Sequence, residues 1–308
     1  MTDWPAPTPA PSSELSAQAT IGLRPQDGSR AVLLLLITQS ILVSVLFAVH
    51  VPLGLSALIG VIVTALAAAL LLRPALAELL RDTRWRTPPA IWTALGALGL
   101  GVIASRGLLI FVLSLSPRAV SNLPSYPTSG LDTWLFIAVG GLLIPLAEEL
   151  AFRGLLLRGL ERARGPLFAA LVSSLLFTLA HGNPAQMLAI APIAWVLARA
   201  AQHSGSLWTG YVIHALNNGG ALLLAQLLSG SKLMAQAQGQ LGTQKALPLQ
   251  FGLAGLLVAA AALAVATLWL RPRADIPAPL GGPVFSVPLA AVLVVIGLTV
   301  VASALLTR

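Results

Sequence analysis

Long runs of leucine, alanine, valine and isoleucine, punctuated by short clusters of arginine, proline and glycine, set the rhythm of this chain. A helix needs about 20 apolar residues to cross the hydrocarbon core of a bilayer. Runs of about that length fall at 31–50, 54–72, 91–115, 133–157, 166–181, 184–203, 206–228, 250–270 and 285–306. The pattern predicts an all-α fold, a polytopic transmembrane bundle of eight or nine spanning helices. No long repeat is evident.

Residues 1–30 differ in kind, being rich in proline, serine and threonine, with Asp3, Glu14 and Asp27 among them. They read as a disordered polar tail without the basic start and cleavage site of a secretory leader. Residues 31–125 hold the N-terminal transmembrane helices, 126–230 the helical core with the candidate chemistry, and 231–308 a linker and the C-terminal helices. The stretch from Lys232 to Gln250, with its repeated glutamines, reads as a flexible polar connector.

Composition sharpens this picture, because 57% of the 308 residues are hydrophobic, only 9% are charged, and mean hydropathy is +0.88. The chain is an integral membrane protein. With no cysteine it has neither a disulfide framework nor a thiolate metal site. The net charge of +8 does not signal nucleic acid, since no soluble patch exists to carry it. Placed against the spans, the charges follow topology. One set of loops and helix ends holds Arg24, Arg30, Arg73, Arg81, Arg84, Arg86, Arg158, Arg162, Arg164, Arg199, Arg271 and Arg273. The other holds only Arg118, Lys232, Lys245 and Arg308. By the positive-inside rule the N-terminus is expected in the cytoplasm and the C-terminus outside. The excess of arginine over lysine points to a prokaryotic cytoplasmic membrane. Trp85, Trp92, Trp134, Trp208 and Trp269 lie near segment ends and read as interfacial anchors. His50 and His203, also near helix ends, read as loop or interfacial residues.

Glu148 and Glu149 are the acidic residues placed well within a span, where an ionisable group costs several kcal/mol and is a functional candidate. Arg153, four residues after Glu149, shares its helix face and can pair with it. Glu148 then points about 100° away, available for other work. Pro145 is expected to loosen the helix just before them. His181 stands one helical turn after Phe177, and Asn218 one turn after His214. Measured from the arginine-rich helix ends at 1.5 Å per residue, Glu148, His181, His214 and Asn218 lie at about 18, 22, 12 and 18 Å. They share one layer of the bundle. Gly182-Asn183-Pro184 reads as a helix stop, an N-cap and a new start, and predicts a wetted cavity beside it.

The order Glu148-Glu149-x-x-x-Arg153, Phe177-x-x-x-His181, His214-x-x-x-Asn218 resembles the CPBP intramembrane proteases. That family includes the type II CAAX prenyl endopeptidases and bacteriocin-processing or immunity proteins. The resemblance covers about residues 130–230 and includes "SGSLWTGYVIHALNN". It implies peptide-bond hydrolysis in the membrane, on a peptide or lipidated protein, with membrane lipid as the other partner. In that reading Glu148 is the general base, His181 shares the water, His214 and Asn218 form the oxyanion hole, and Glu149, Arg153 and Phe177 support them. Spaced alanines, Ala189, Ala191, Ala194 and Ala198, stand where family members often carry glycines.

Three other readings compete. Glu148, His181 and His214 are also the ligand types of an open zinc site. Midplane Glu and His serve proton-coupled transporters too, and Arg106 lies in the third span without an assigned partner. A non-catalytic scaffold of the same family is the third. The sequence lacks HExxH and Gly-x-Ser-x-Gly, and the spans lack a deep aspartate pair, so other intramembrane protease chemistries fit worse. In the protease reading the site opens toward the cytoplasm.

Overall fold

The computed structural model describes residues 22–116, 130–229, 231, 247–273 and 279–306. Most of the polar tail and of the connector, with Arg118, Lys232, Lys245 and Arg308, lies outside the described residues. All regular structure among the described residues is helical. We number the helices α1 Pro25–Ala48, α2 Leu53–Leu71, α3 Arg73–Arg81, α4 Thr83–Arg86, α5 Ile91–Leu115 and α6 Leu131–Arg164. There follow α7 Pro166–Leu179, α8 Pro184–Ser204, α9 Leu207–Leu228, α10 Leu249–Trp269 and α11 Val287–Leu306.

Among the described residues five helices, α1, α2, α5, α6 and α10, are long and apolar enough to cross a membrane. α7 and α11 contain shorter apolar stretches, and α8 and α9 are 21 and 22 residues long. Two contiguous cores bind the bundle. One joins α1, α6, α7, α8 and α11 around Phe152, Leu155, Leu156 and Phe177, and the other joins α5, α8, α9 and α10 around Leu197, Ile213 and Leu270.

The polar tail is shorter than the sequence pattern implies. Pro25 to Arg30 are already helical, because Pro25 occupies the first turn and Asp27 accepts from the Arg24 backbone N–H at 3.0 Å. Gly28 and Gly159 let α1 lie directly on α6. A Cβ at Gly28 would come 2.2 Å from Leu156 Cα, and one at Gly159 would come 2.5 Å from the Arg24 carbonyl group. Likewise, the interval between the second and third spans is helical as α3 and α4.

Contacts fix which helix ends share a face. Arg84 pairs with Glu161 at 2.9 Å, Ser206 donates to the Thr87 carbonyl at 2.7 Å, and Leu280 N–H donates to the Arg162 carbonyl at 2.7 Å. These join the start of α1 and α11, the ends of α6 and α8, and the α3–α4 turn into one arginine-rich face. At the opposite end Asp132 caps α2, accepting from Gly54 N–H at 2.9 Å and Leu55 N–H at 3.0 Å. Pro52 at the N-cap has no side-chain acceptor, so α6 supplies it.

Candidate active site

α6 is not a uniform helix. Wide π turns at Val139–Leu143 and Leu150–Leu156 flank the α-helical piece Ile144–Glu149 that carries both glutamates. Pro145 cannot donate to a preceding carbonyl, and the wide turn before it absorbs the missing bond. Buried Gly140 and Gly141 lie in that turn, and Gly141 meets Gly219 of α9 so closely that a Cβ on Gly141 would sit 2.7 Å from Gly219 Cα. That backbone-to-backbone crossing brings His214 against the two carboxylates. On the other side Ser173 of α7 donates to the Phe152 carbonyl at 3.1 Å, satisfying an acceptor of the second wide turn.

Glu149 is fully buried. Its Oε1 accepts from Arg153 Nη1 at 3.0 Å, the expected i, i+4 pair, and from His214 Nδ1 at 2.9 Å. Arg153, equally buried, also donates through Nη2 to the Ala194 carbonyl at 3.2 Å, an oxygen that Ser174 shares at 3.0 Å. Its guanidinium lies 4.3 Å from the Phe177 ring centroid. Glu149 Oε2 is buried without a hydrogen-bond partner among the described residues, and a Cβ on Gly210 would lie 2.6 Å from it. Gly210 is therefore needed for space.

Glu148 points the other way. Its side chain is 19% exposed, and its Oε2 lies 3.4 Å from His214 Nε2. His214 thus stands between the two glutamates, with one ring nitrogen for each. Its Nδ1 must be the donor toward Glu149, because Oε1 already accepts from arginine. His181 Nδ1 lies 2.9 Å from the Phe177 carbonyl oxygen, which can only accept, so Nδ1 carries the proton and Nε2 keeps its lone pair. Phe177 is the hub, with ring centroids 5.0 Å from His181, 5.5 Å from His214 and 5.1 Å from Phe152.

The geometry gathers Glu148, Glu149, Arg153, Phe177, His181 and His214. Asn218, half-buried on α9, accepts from Asn217 Nδ2 at 3.1 Å, its hydrogen bond among the described residues. Gly182 takes φ +69° and Asn183 Oδ1 accepts from Gln186 N–H at 3.2 Å, as expected of a stop and an N-cap. Arg106 is exposed on α5, without an ion pair among the described residues. His203 Nδ1 contacts the Arg271 carbonyl at 2.9 Å, and His50 sits in the turn after α1.

A cavity of about 440 Å³ contains Glu148, Phe177 and His181 in its wall. The facing wall is α1, where another wide turn, Leu36–Leu42, presents Gln39 and Ser40. These two belong to a polar triplet, Thr38-Gln39-Ser40, an uncharged break inside the first apolar run. Thr38 and Thr64 hydroxyls lie 2.6 Å apart, and Gln39 Nε2 donates to Thr64 at 3.0 Å. Its lining runs from the buried Val32, Leu35, Leu36 and Phe152 to Phe47 and Leu53, at the ends of α1 and α2 away from the arginine-rich face.

Two further observations concern charge. Among the described residues no three His, Asp or Glu side chains form a group able to hold a metal ion. Nδ1 of His214 is tied to Glu149 and Nδ1 of His181 to a carbonyl, which leaves the two Nε2 atoms and the Glu148 carboxylate as the donor set of the zinc alternative. Glu161, which the sequence pattern puts at a helix end, is 1% exposed and bonds Arg84, Arg158 and Gln202, while Arg158 also pairs with Asp82 at 2.9 Å.

Neither the curated proteins nor the solved structures yielded a match to this chain. Residues 130–220, the segment that supplies every charged and imidazole group of the site, match the family model described as type II CAAX prenyl endopeptidase Rce1-like.

Proposed function

We propose that the chain is an intramembrane endopeptidase that uses side chains to activate water. The observation that carries this reading is the position of Glu148. It is a partly exposed carboxylate in a cavity shared with His181, and it lies 3.4 Å from an imidazole that a second, buried glutamate holds in place. Water between Glu148 and His181 Nε2 gives its proton to the Glu148 carboxylate while its oxygen bonds to the scissile carbonyl carbon. The oxyanion is stabilised by the His214 ring, which Glu149 holds in place, and by the Asn218 amide. Collapse of the tetrahedral carbon breaks the C–N bond, and Glu148 returns the proton to the leaving amine.

Glu149 is thereby a positioning residue. It fixes which nitrogen of His214 faces Glu148, and Arg153 fixes Glu149. No step is assigned to a metal.

The test is mass spectrometry of peptides released from membranes carrying the full chain or its Glu148→Gln variant. Loss of a general base lowers such rates by about 10²–10⁴-fold. Products that vanish with Glu148→Gln support the reading. Unchanged products, or proton-linked solute uptake in liposomes that needs Glu148, overturn it.

A further inference from the structure

The arginine-rich face is not uniform. Arg24, Arg30, Arg81, Arg84 and Arg158 each lie 2.9–4.0 Å from a carboxylate of the chain. Where α8 ends beside α10 the arginines have no such partner. Arg199, Arg271 and Arg273 make no ion pair among the described residues. Arg271 and Arg273 are exposed and water serves them, but Arg199 is only 6% exposed. It donates from Nη1 to Gln202 Oε1 at 3.0 Å, and its Nε is buried without a partner. Gln202 donates in turn to Glu161 at 2.9 Å, and that carboxylate already holds Arg84 and Arg158. A buried guanidinium without a counter-charge is costly, and an anion from outside the chain relieves that cost.

Four contacts gather the other two arginines around the same place. Trp195 Nε1 donates to Thr267 Oγ1 at 2.9 Å, tying α8 to α10, and the Arg199 guanidinium lies 5.5 Å from the Trp195 ring centroid. One turn after Arg199, His203 Nδ1 donates to the Arg271 carbonyl at 2.9 Å, and Arg273 Nε donates to the His203 carbonyl at 3.1 Å. The His203 ring is 6.4 Å from Trp269, the last residue of the spanning α10. A tryptophan at that position marks the level of the lipid headgroups. The C-terminal dipoles of α8 and α10 favour arginine here, but they give the buried Nε of Arg199 no acceptor.

We infer that Arg199, Arg271 and Arg273 bind the phosphate of an anionic phospholipid headgroup where α8 and α10 end. Guanidinium groups offer paired N–H donors to phosphate oxygens, and basic pockets between transmembrane helices take anionic headgroups. Three cations without a carboxylate beside them favour a headgroup of net negative charge over a zwitterionic one. The inference is independent of the protease reading and of which side of the membrane this face occupies.

The test places the full-length protein and its Arg199→Gln, Arg271→Gln/Arg273→Gln and Arg81→Gln variants in nanodiscs of phosphatidylcholine, with or without phosphatidylglycerol. The readouts are the unfolding temperature and, by native mass spectrometry, the phosphatidylglycerol retained on the protein. Arg81, exposed on the same face and paired with Glu78, controls for bulk attraction. Phosphatidylglycerol is expected to raise the unfolding temperature of the parent and to stay bound. Each arginine removed from the cluster should weaken retention about fivefold, while Arg81→Gln behaves as the parent. An equal loss in Arg81→Gln shows a diffuse field and overturns the site. Millimolar inorganic phosphate that reproduces the rise in pure phosphatidylcholine shows a free-anion site and overturns the lipid assignment. If Asp275→Asn destabilises the protein as much as Arg199→Gln in every lipid mixture, the counter-charge belongs to the chain itself and the proposal falls. Should Arg199→Gln fail to fold, the double variant carries the test, because both its side chains are exposed. None of these readouts needs catalysis, so failure here is separate from failure of the Glu148→Gln comparison.

Discussion

Glu148 and Glu149 are neighbours in sequence with opposite environments, and the difference predicts opposite phenotypes. Glu149 is buried and holds both Arg153 and His214. Removing one member of a buried ion pair strands the other and costs about 3–5 kcal/mol. Glu149→Ala is therefore expected to lower the unfolding temperature of the detergent-solubilised protein sharply, with activity falling in parallel. Glu148, partly exposed and held by a single 3.4 Å contact, contributes little to folding. Glu148→Ala is expected to leave the unfolding temperature close to that of the parent while abolishing cleavage. Equal thermal losses in the two variants would contradict this division of labour. At this scale the sequence was informative where spacing alone decides. The i, i+4 rule pairs Glu149 with Arg153, but no local rule says that His214, 65 positions later, takes the same carboxylate oxygen. Glu161 illustrates the reverse. It looks solvated because it ends a helix among arginines, and only the packing of α4 and α8 over it reveals burial.

The elements were legible to within a few residues, because runs of 20 apolar residues leave little choice of secondary structure. Their irregularities were not. A π turn has the same composition as the helix around it, and the three wide turns in α1 and α6 arise from tertiary contacts and from Pro145. Each borders the site. The α1 turn matters because it sets the bearing of Gln39 and Ser40. Deleting Ile37, 45% exposed and outside the core, draws the turn back toward α geometry and changes the bearing of Gln39 and Ser40 within it. Cleavage is expected to fail while far-UV circular dichroism still reports a helical protein. Retained cleavage would mean that the α1 wall does not hold substrate.

For the whole molecule, the arginine-rich face is also a structural brace. Asp82, Arg84, Arg158, Glu161 and Gln202 join α3, α4, α6 and α8 through hydrogen bonds of 2.9–3.1 Å. Burial pushes the Arg84 guanidinium below its ordinary value, and the adjoining Glu161 opposes that shift. Glu161 is thus what keeps two cations tolerable there. Glu161→Ala is expected to destabilise the fold by about 3–5 kcal/mol, read as a lower unfolding temperature, and Glu161→Gln by less because its shape and one acceptor remain. Indifference to both would show the cluster to be ordinary solvated charge.

The contact of Gly141 with Gly219 carries one more consequence. With main chains touching, no side-chain rearrangement can slide the helix of the acids away from the helix of the second imidazole, so the reaction machinery behaves as a single welded part. The opposite wall, borne by α1, is locked to α6 near its start by Gly28 and Gly159, and Gln39, Ser40, Val43 and Phe47 lie beyond that contact. A change in diet for the proposed protease can accordingly be made by redecorating that wall, and libraries built at positions 39, 40, 43 and 47 should alter what is cut without altering how.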